Sequence, residues 1–169
     1  MQKPVLPIVI LVLSCLIPEV SGCFYSFRGT SVPAHMKTIA IPPFDDQSGA
    51  GISGLRELIT QSLIQLFTTD NTLRVTSRAN ADAILEGSVK SVQDQPASVS
   101  PGEQVRRMQV TVTIHASFYD VKLRKKVWEK DFSNLGIYNA GGLSQRDAGI
   151  NDAVKKISDD VLNAVVSGW

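Results

Sequence analysis

Met108-Gln109-Val110-Thr111-Val112-Thr113-Ile114-His115-Ala116-Ser117-Phe118 alternates apolar and polar residues without a break. Successive side chains of a strand point to opposite faces, so Met108, Val110, Val112, Ile114, Ala116 and Phe118 share one face. Gln109, Thr111, Thr113, His115 and Ser117 share the other. A helix of the same residues would scatter both sets around its axis. The stretch is therefore a strand in a sheet with one apolar face, and other elements must cover that face.

Downstream, Val121 to Lys126 is a tight connection carrying Lys122, Arg124, Lys125 and Lys126, and Trp128 to Phe132 returns as a strand, which makes a hairpin. Gly141-Gly142 then precedes a helix with the stripe Ile150, Val154, Ile157, Val161 and Val165, while Lys155, Lys156, Asp159 and Asp160 face away. Ser144 with Asp147 forms a capping-box pattern at its start. Upstream lies a loop rich in Gln, Pro, Ser and Gly from Gln93 to Glu103, long enough to be functional or mobile. Before it, Ala83 to Val89 reads as a strand in which Gly87 marks a bulge or a close approach by a neighbour.

Closer to the N-terminus, Lys37 to Ile41 alternates and stops at Pro42-Pro43, residues without an amide proton. Phe44 to Gly51 is rich in turn residues, and Ile52, Leu55, Ile59, Leu63 and Leu66 fall on one helix face. Asp70-Asn71 ends that helix, and Leu73 to Val75 makes a short strand. The order is strand, helix, three or four strands, helix. Two amphipathic helices and a sheet with one apolar face have one economical arrangement, a two-layer α/β (α+β) sandwich. Both helices pack on the same face of a mixed sheet of four to five strands, and the second sheet face is left polar. The first two strands are parallel if they are neighbours, because a helix connects them.

The first 22 residues read differently. A basic start at Lys3, an apolar run from Val5 to Leu13 and the small residues Ser21 and Gly22 lead to Cys23. The run is interrupted by Pro7 and Pro18-Glu19 and is shorter than the roughly 20 apolar residues of a membrane span. Val20-Ser21-Gly22-Cys23 reads as a lipobox, at which residues 1–22 are removed as a signal peptide and the Cys23 thiol receives a diacylglyceryl group. The competing reading is an ordinary secretory signal cut near Gly22. Cys15 is lost with the signal, so the mature chain carries one thiol, which acylation uses. Val12-Leu13-Ser14-Cys15 is a weaker lipobox, since it would leave an apolar N-terminus. Residues 23–36 form a lipidated tether and residues 37–169 a single domain.

Composition narrows the function. A chain of 169 residues loses 22 to the signal and keeps 147, one domain able to bury a core without disulfides. A formal charge of +1 gives no general reason to expect a nucleic acid partner. His35 and His115 have no second ligand at metal spacing, and the glycines Gly49, Gly51 and Gly54 lack a Lys-Ser/Thr partner or dinucleotide fingerprint. No cofactor and no catalysis are expected. Asp45-Asp46 reads as a cap of the following helix rather than an acid pair. Two basic clusters remain, Arg106-Arg107 at one end of the alternating strand and Lys122, Arg124, Lys125 and Lys126 at the other. Each suits a phosphorylated, acidic ligand, and each also suits a solvated edge that resists sheet-to-sheet pairing.

Cys23-Phe24-Tyr25-Ser26-Phe27-Arg28-Gly29, Val32-Pro33, Lys37-Thr38-Ile39-Ala40-Ile41-Pro42, Ala81-Asp82-Ala83-Ile84-Leu85-Glu86-Gly87, Trp128-Glu129-Lys130-Asp131-Phe132 and a last helix ending in Trp169 together resemble the LptE family of lipopolysaccharide-assembly lipoproteins. The likeness spans the mature chain in order. It implies an outer-membrane lipoprotein on the periplasmic face, two helices on one mixed sheet, and a role as plug and partner of the LptD β-barrel that delivers lipopolysaccharide. Cys23 matches the lipidated position. Phe24 is not the aspartate associated with inner-membrane retention. Arg106, Arg107, Lys122, Arg124, Lys125 and Lys126 are candidates for lipopolysaccharide contact from charge and placement only. A second resemblance, of Ile39-Ala40-Ile41-Pro42-Pro43-Phe44-Asp45 and the Ala81 to Gly87 stretch, is to CsgG- and LpoB-like lipoproteins, which form secretion pores or activate cell-wall synthases.

Overall fold

In the computed structural model, residues 32–97 and 107–167 are described. In chain order the elements are β1 (Thr38–Ala40), β2 (Asp45–Asp46), α1 (Leu55–Asp70), β3 (Arg74–Val75), a 3-10 turn (Arg78–Asn80), β4 (Ala83–Pro96), β5 (Arg107–Asp120), β6 (Lys125–Asn139) and α2 (Leu143–Ser167). The lipobox, most of the tether, Arg106, most of the Gln93 to Glu103 loop and Trp169 lie outside the described residues.

The alternating stretch is the middle of an antiparallel trio, with β4 on one side and β6 on the other. β1 lies beside β4 and β3 beside β1, both parallel, and β2 pairs with β4. The sheet is thus mixed and holds six strands, one more than expected, because Asp45-Asp46 pairs with Ser88-Val89 instead of staying in a loop. Both helices cover one face. Val110, Val112, Ile114, Ala116 and Phe118 are buried beneath Leu55, Ile59, Leu63 and Phe67 of α1 and Ile150, Val154, Ile157, Val161 and Val165 of α2. Each of the Val, Leu, Ile and Phe side chains contributes roughly 1.5–3 kcal/mol on burial, which is what holds an otherwise marginal helix to the sheet.

Several boundaries differ from the sequence reading for local reasons. The first helix starts at Leu55 behind Gly54, whose backbone is left-handed (φ 77°) and gives no side-chain cap. Asp46 does not cap it either, since its Oδ1 accepts the Ser48 N–H (2.9 Å) and hydroxyl (2.6 Å) within the turn. At the other end Phe67, not Leu66, takes the buried place after Leu63. The last helix begins at Leu143, so Ser144 lies inside its first turn and the expected capping box is not formed.

Strands β4 and β6 outrun their apolar patterns. β4 continues past Val89 through a bulge between Val89 and Ser91 to Pro96, so the expected loop from Gln93 begins as strand. β6 continues from Phe132 to Asn139 because α2 lies along it. Lys156 Nζ donates to the Leu135 carbonyl (3.0 Å) and Asn134 Nδ2 to Asp160 Oδ2 (2.6 Å). A Cβ on Gly136 would stand 1.8 Å from the Gly149 carbonyl oxygen, so helix and strand backbones touch. Gly87 marks a close approach, not the bulge: a Cβ there would stand 2.3 Å from the His115 carbonyl and 2.4 Å from the Phe44 ring.

Candidate functional site

The basic clusters are set apart by the hairpin itself. Arg107 opens β5 opposite Asn139, exposed, while Lys122 and Arg124 occupy the turn and Lys125 and Lys126 begin β6. A strand of 14 residues at about 3.4 Å each puts roughly 45 Å between the two clusters. They do not form one site. Lys126 is already engaged, its Nζ 2.5 Å from Glu129 Oε2. Arg124 adopts a left-handed backbone (φ 52°), which turns the chain between the strands. Leu123 at the tip is 64% exposed.

Around the turn, carboxylates hold backbone together. Asp82 Oδ2 accepts the N–H groups of Lys37 (2.9 Å) and Thr38 (3.0 Å) and the Thr38 hydroxyl (2.8 Å). Those bonds, first that from Lys37, hold the Asp82 carboxyl below the usual carboxylate range. The Lys-Thr and Ala-Asp pieces of the motif are therefore two halves of one structural clasp on the start of β1. Asp120, 1% exposed, accepts the Leu123 N–H (2.8 Å) and pairs with His35 Nε2 (2.7 Å). Burial works to raise its pKa, but the hydrogen bonds outweigh it and the net shift is downward. This contact docks the chain before β1 on the domain.

The face away from the helices carries a second cluster. His115 Nδ1 meets Asp131 Oδ1 at 2.7 Å and its Nε2 meets Glu129 Oε1 at 3.0 Å, so Asp131 and then Glu129 raise the imidazole pKa. The two acids sit on opposite sides of the ring and do not converge, and no group of three His, Cys, Asp or Glu among the described residues is arranged to hold a metal. Sequence reasoning missed this cluster because its partners come from the register of β6. Leu135 (38% exposed) and Ile137 (46%) add an apolar pair to the same face. On the helix side, Trp128 stacks on Phe118 and meets Phe132 edge-on, both at 5.7 Å between centroids. Lys130 Nζ lies 5.1 Å from the Trp128 and Phe132 rings, so this motif is an aromatic support of the edge strand.

At the far end, Asp94 receives Arg146 through Nε (3.0 Å) and a second guanidinium nitrogen (2.8 Å), and the Tyr138 hydroxyl (2.7 Å). Arg146 is the first cause that lowers the Asp94 pKa. A cavity of about 400 Å³ opens between the helices, lined by Leu58, Gln61, Leu66, Lys155 and Ser158 among others. No helix among the described residues is long and apolar enough to cross a membrane.

Among solved structures, protein XCC0632 of Xanthomonas campestris has a similar fold, with a TM-score of 0.60 at 13% identity over 83% of this chain and 92% of that one. Uncharacterized lipoprotein B of Nitrosomonas europaea gives 0.54 at 15% identity, over 79% and 84%. A point variant of the PelC dodecamer of Paraburkholderia phytofirmans gives 0.51 at 15%, over 82% and 94%. At these identities the likeness is one of fold. None of the curated proteins compared with the chain matches it. The model of the LptE family, described as "Lipopolysaccharide-assembly", matches residues 36–165, which takes in α1, all but the last two residues of α2, and every strand from the Lys37-Thr38 clasp onward. The chain belongs to the LptE family of lipopolysaccharide-assembly proteins.

Proposed function

We propose that the protein is an outer-membrane lipoprotein, anchored through Cys23 on the periplasmic face, that works with an LptD-like β-barrel to assemble lipopolysaccharide. The family match over residues 36–165 carries this reading. The lipobox at Val20 to Cys23 supports the anchor, with residues 1–22 removed and residues 23–36 serving as tether to the domain of residues 37–169. The protein performs no catalysis and needs no cofactor. It supplies surface.

Three features supply that surface. The outer sheet face, with Gln109, Thr111, Thr113, His115 and the apolar pair Leu135 and Ile137, is half-buried to exposed and free of helices, so it suits a barrel wall that offers polar and apolar groups together. Arg107 at the far end, and Arg106 beside it in sequence, suit lipopolysaccharide phosphates, to which a guanidinium donates two parallel hydrogen bonds. The turn cations Lys122, Arg124, Lys125 and Lys126 carry the same phosphate chemistry at the other end. Pairing with phosphates would loosen aggregated lipopolysaccharide.

The test is a pull-down of the tagged, detergent-extracted protein with mass spectrometry of what remains bound. An LptD-like barrel in near equal amount is the expected result. Recovery of the chain only as a ring of itself, or together with a cell-wall synthase, would instead favour the second reading, a CsgG- or LpoB-like lipoprotein acting as a secretion-pore subunit or synthase activator. Charge reversal of Arg106 and Arg107 should weaken lipopolysaccharide binding more than reversal of Asp159 and Asp160, and equal effects would remove the basic cluster from the mechanism.

A further inference from the structure

The turn with Lys122, Leu123, Arg124 and Lys125 lies at the same end of the sheet as the start of the described chain. His35 is bound to Asp120, the Val121 N–H donates to the Asp82 carbonyl (2.9 Å), and the Asp82 side chain holds Lys37. Arg74 stands opposite Thr38 at the start of β3. Lys37, Arg74, Lys122, Arg124 and Lys125 are all exposed at this end, and none closes an ion pair among the described residues. The carboxylates nearby bond to backbone, Asp82 and Asp120 accepting N–H groups and Asp70 the Thr72 N–H (3.1 Å), while the Asp82 charge also attracts Lys122 without closing a pair. Next to Lys122, Arg124 and Lys125, at the β5–β6 side of this end, Leu123 is 64% exposed. An apolar tip flanked by cations is the composition of a surface that rests on an anionic lipid interface.

Chain length points to the same occupant. Nine residue steps separate Cys23 from Val32, a reach of at most about 30 Å, whereas Arg107 lies roughly 45 Å farther along the sheet. A lipid on Cys23 keeps the turn end, not the Arg107 end, near the leaflet. We propose that the Lys122 to Lys125 turn docks on the phospholipid leaflet that holds the anchor, Leu123 entering the acyl boundary while Lys37, Arg74, Lys122, Arg124 and Lys125 meet headgroup phosphates. The inference rests on the reading of Cys23 as the lipidated residue. It separates the two basic ends by task, leaving the Arg106-Arg107 end to lipopolysaccharide.

The test uses the mature lipidated protein with a fluorophore on Leu123→Cys or, as a control at the far end, on Leu143→Cys, which is 78% exposed. Each is reconstituted in phosphatidylethanolamine–phosphatidylglycerol vesicles that carry a nitroxide on the headgroup. The label at 123 should be quenched severalfold more than that at 143. Adding Lys122→Glu and Arg124→Glu should bring it to the control level while the protein stays on the vesicles. Equal quenching at 123 and 143 overturns the proposal, as does quenching at 123 that needs lipopolysaccharide in the vesicle. Mass spectrometry of the mature chain separates this failure from that of the anchor. If Cys23 carries no acyl chains, sedimentation of the unlipidated chain with the same vesicles decides: salt-sensitive binding that falls roughly fivefold per cation removed supports docking, and no binding overturns it.

Discussion

The two ends of the sheet are held by different physics. At the end where β1, β3 and the β5–β6 turn meet, Asp82 and Asp120 accept backbone N–H groups, and Lys37, Arg74, Lys122, Arg124 and Lys125 close no ion pair among the described residues. At the far end the backbones of Gly136 and Gly149 touch, and Arg146 is closed onto Asp94. The first end is clasped by carboxylates that accept backbone N–H groups; the second is locked by close packing and by an ion pair inside the domain. Hydrogen bonds from carboxylate to backbone fix the first end with few side-chain ion pairs, the turn keeping one in Lys126–Glu129.

The largest effect should come from the locked end. Gly136→Ala places a Cβ 1.8 Å from a carbonyl oxygen of α2, and backbone on both sides has no rotamer to yield. Overpacking of this kind should cost roughly 3 kcal/mol or more, a fall of about 10 °C in Tm by thermal melting. A melt within about 2 °C of the parent would show that the helix has room to lift, and the contrast between the ends would dissolve.

Next comes the clasp. Asp82→Ala leaves the Lys37 and Thr38 N–H groups without their acceptor and should cost about 2 kcal/mol in urea unfolding. The folded-state pKa of Asp82 is depressed, so its contribution is complete above the usual carboxylate range near about pH 4 and is lost as pH falls through the lower folded value. The parent should therefore lose stability below that range more steeply than Asp82→Ala. Parallel curves would deny the clasp its role.

Asp94→Asn should be milder, about 1 kcal/mol, because the pair with Arg146 is about a quarter exposed and solvent screens it. Hydrogen exchange should quicken at the start of α2 and stay unchanged at β1; uniform quickening would mean the ends are one cooperative unit. The smallest effect belongs to the sheet between them. By NMR, His115 should titrate above the usual imidazole value, and Asp131→Asn should lower its pKa more than Glu129→Gln. Since the folded pKa is raised, the small stabilisation is full below the unfolded value of about 6.5 and fades as pH rises through the folded one. Equal shifts from the two variants would contradict the geometry.

Much of this was legible beforehand. The period of two in Met108 to Phe118 and the stripe Ile150 to Val165 name their buried faces directly, because burial selects apolar residues at the spacing of the element. Polar extensions were not legible: Gln93 to Pro96 and Ser133 to Asn139 are strands because neighbours supply their hydrogen bonds, which leaves no local mark. The basic candidates were found by charge, and their placement at two ends follows from the hairpin. The His115 cluster needed the register, including the shift between Phe118 and Tyr119 that brings Asp131 opposite the ring.

Periodicity, punctuation by proline and glycine, and the lipobox pattern are local properties, and from them came the two-layer architecture, the face of α2, most of the face of α1 and the expected anchor. Pairing is not local. The sixth strand at Asp45-Asp46, the Asp82 clasp across 44 positions of chain and the Gly136–Gly149 contact each join residues far apart in sequence, and each exists only once the sheet has closed around them.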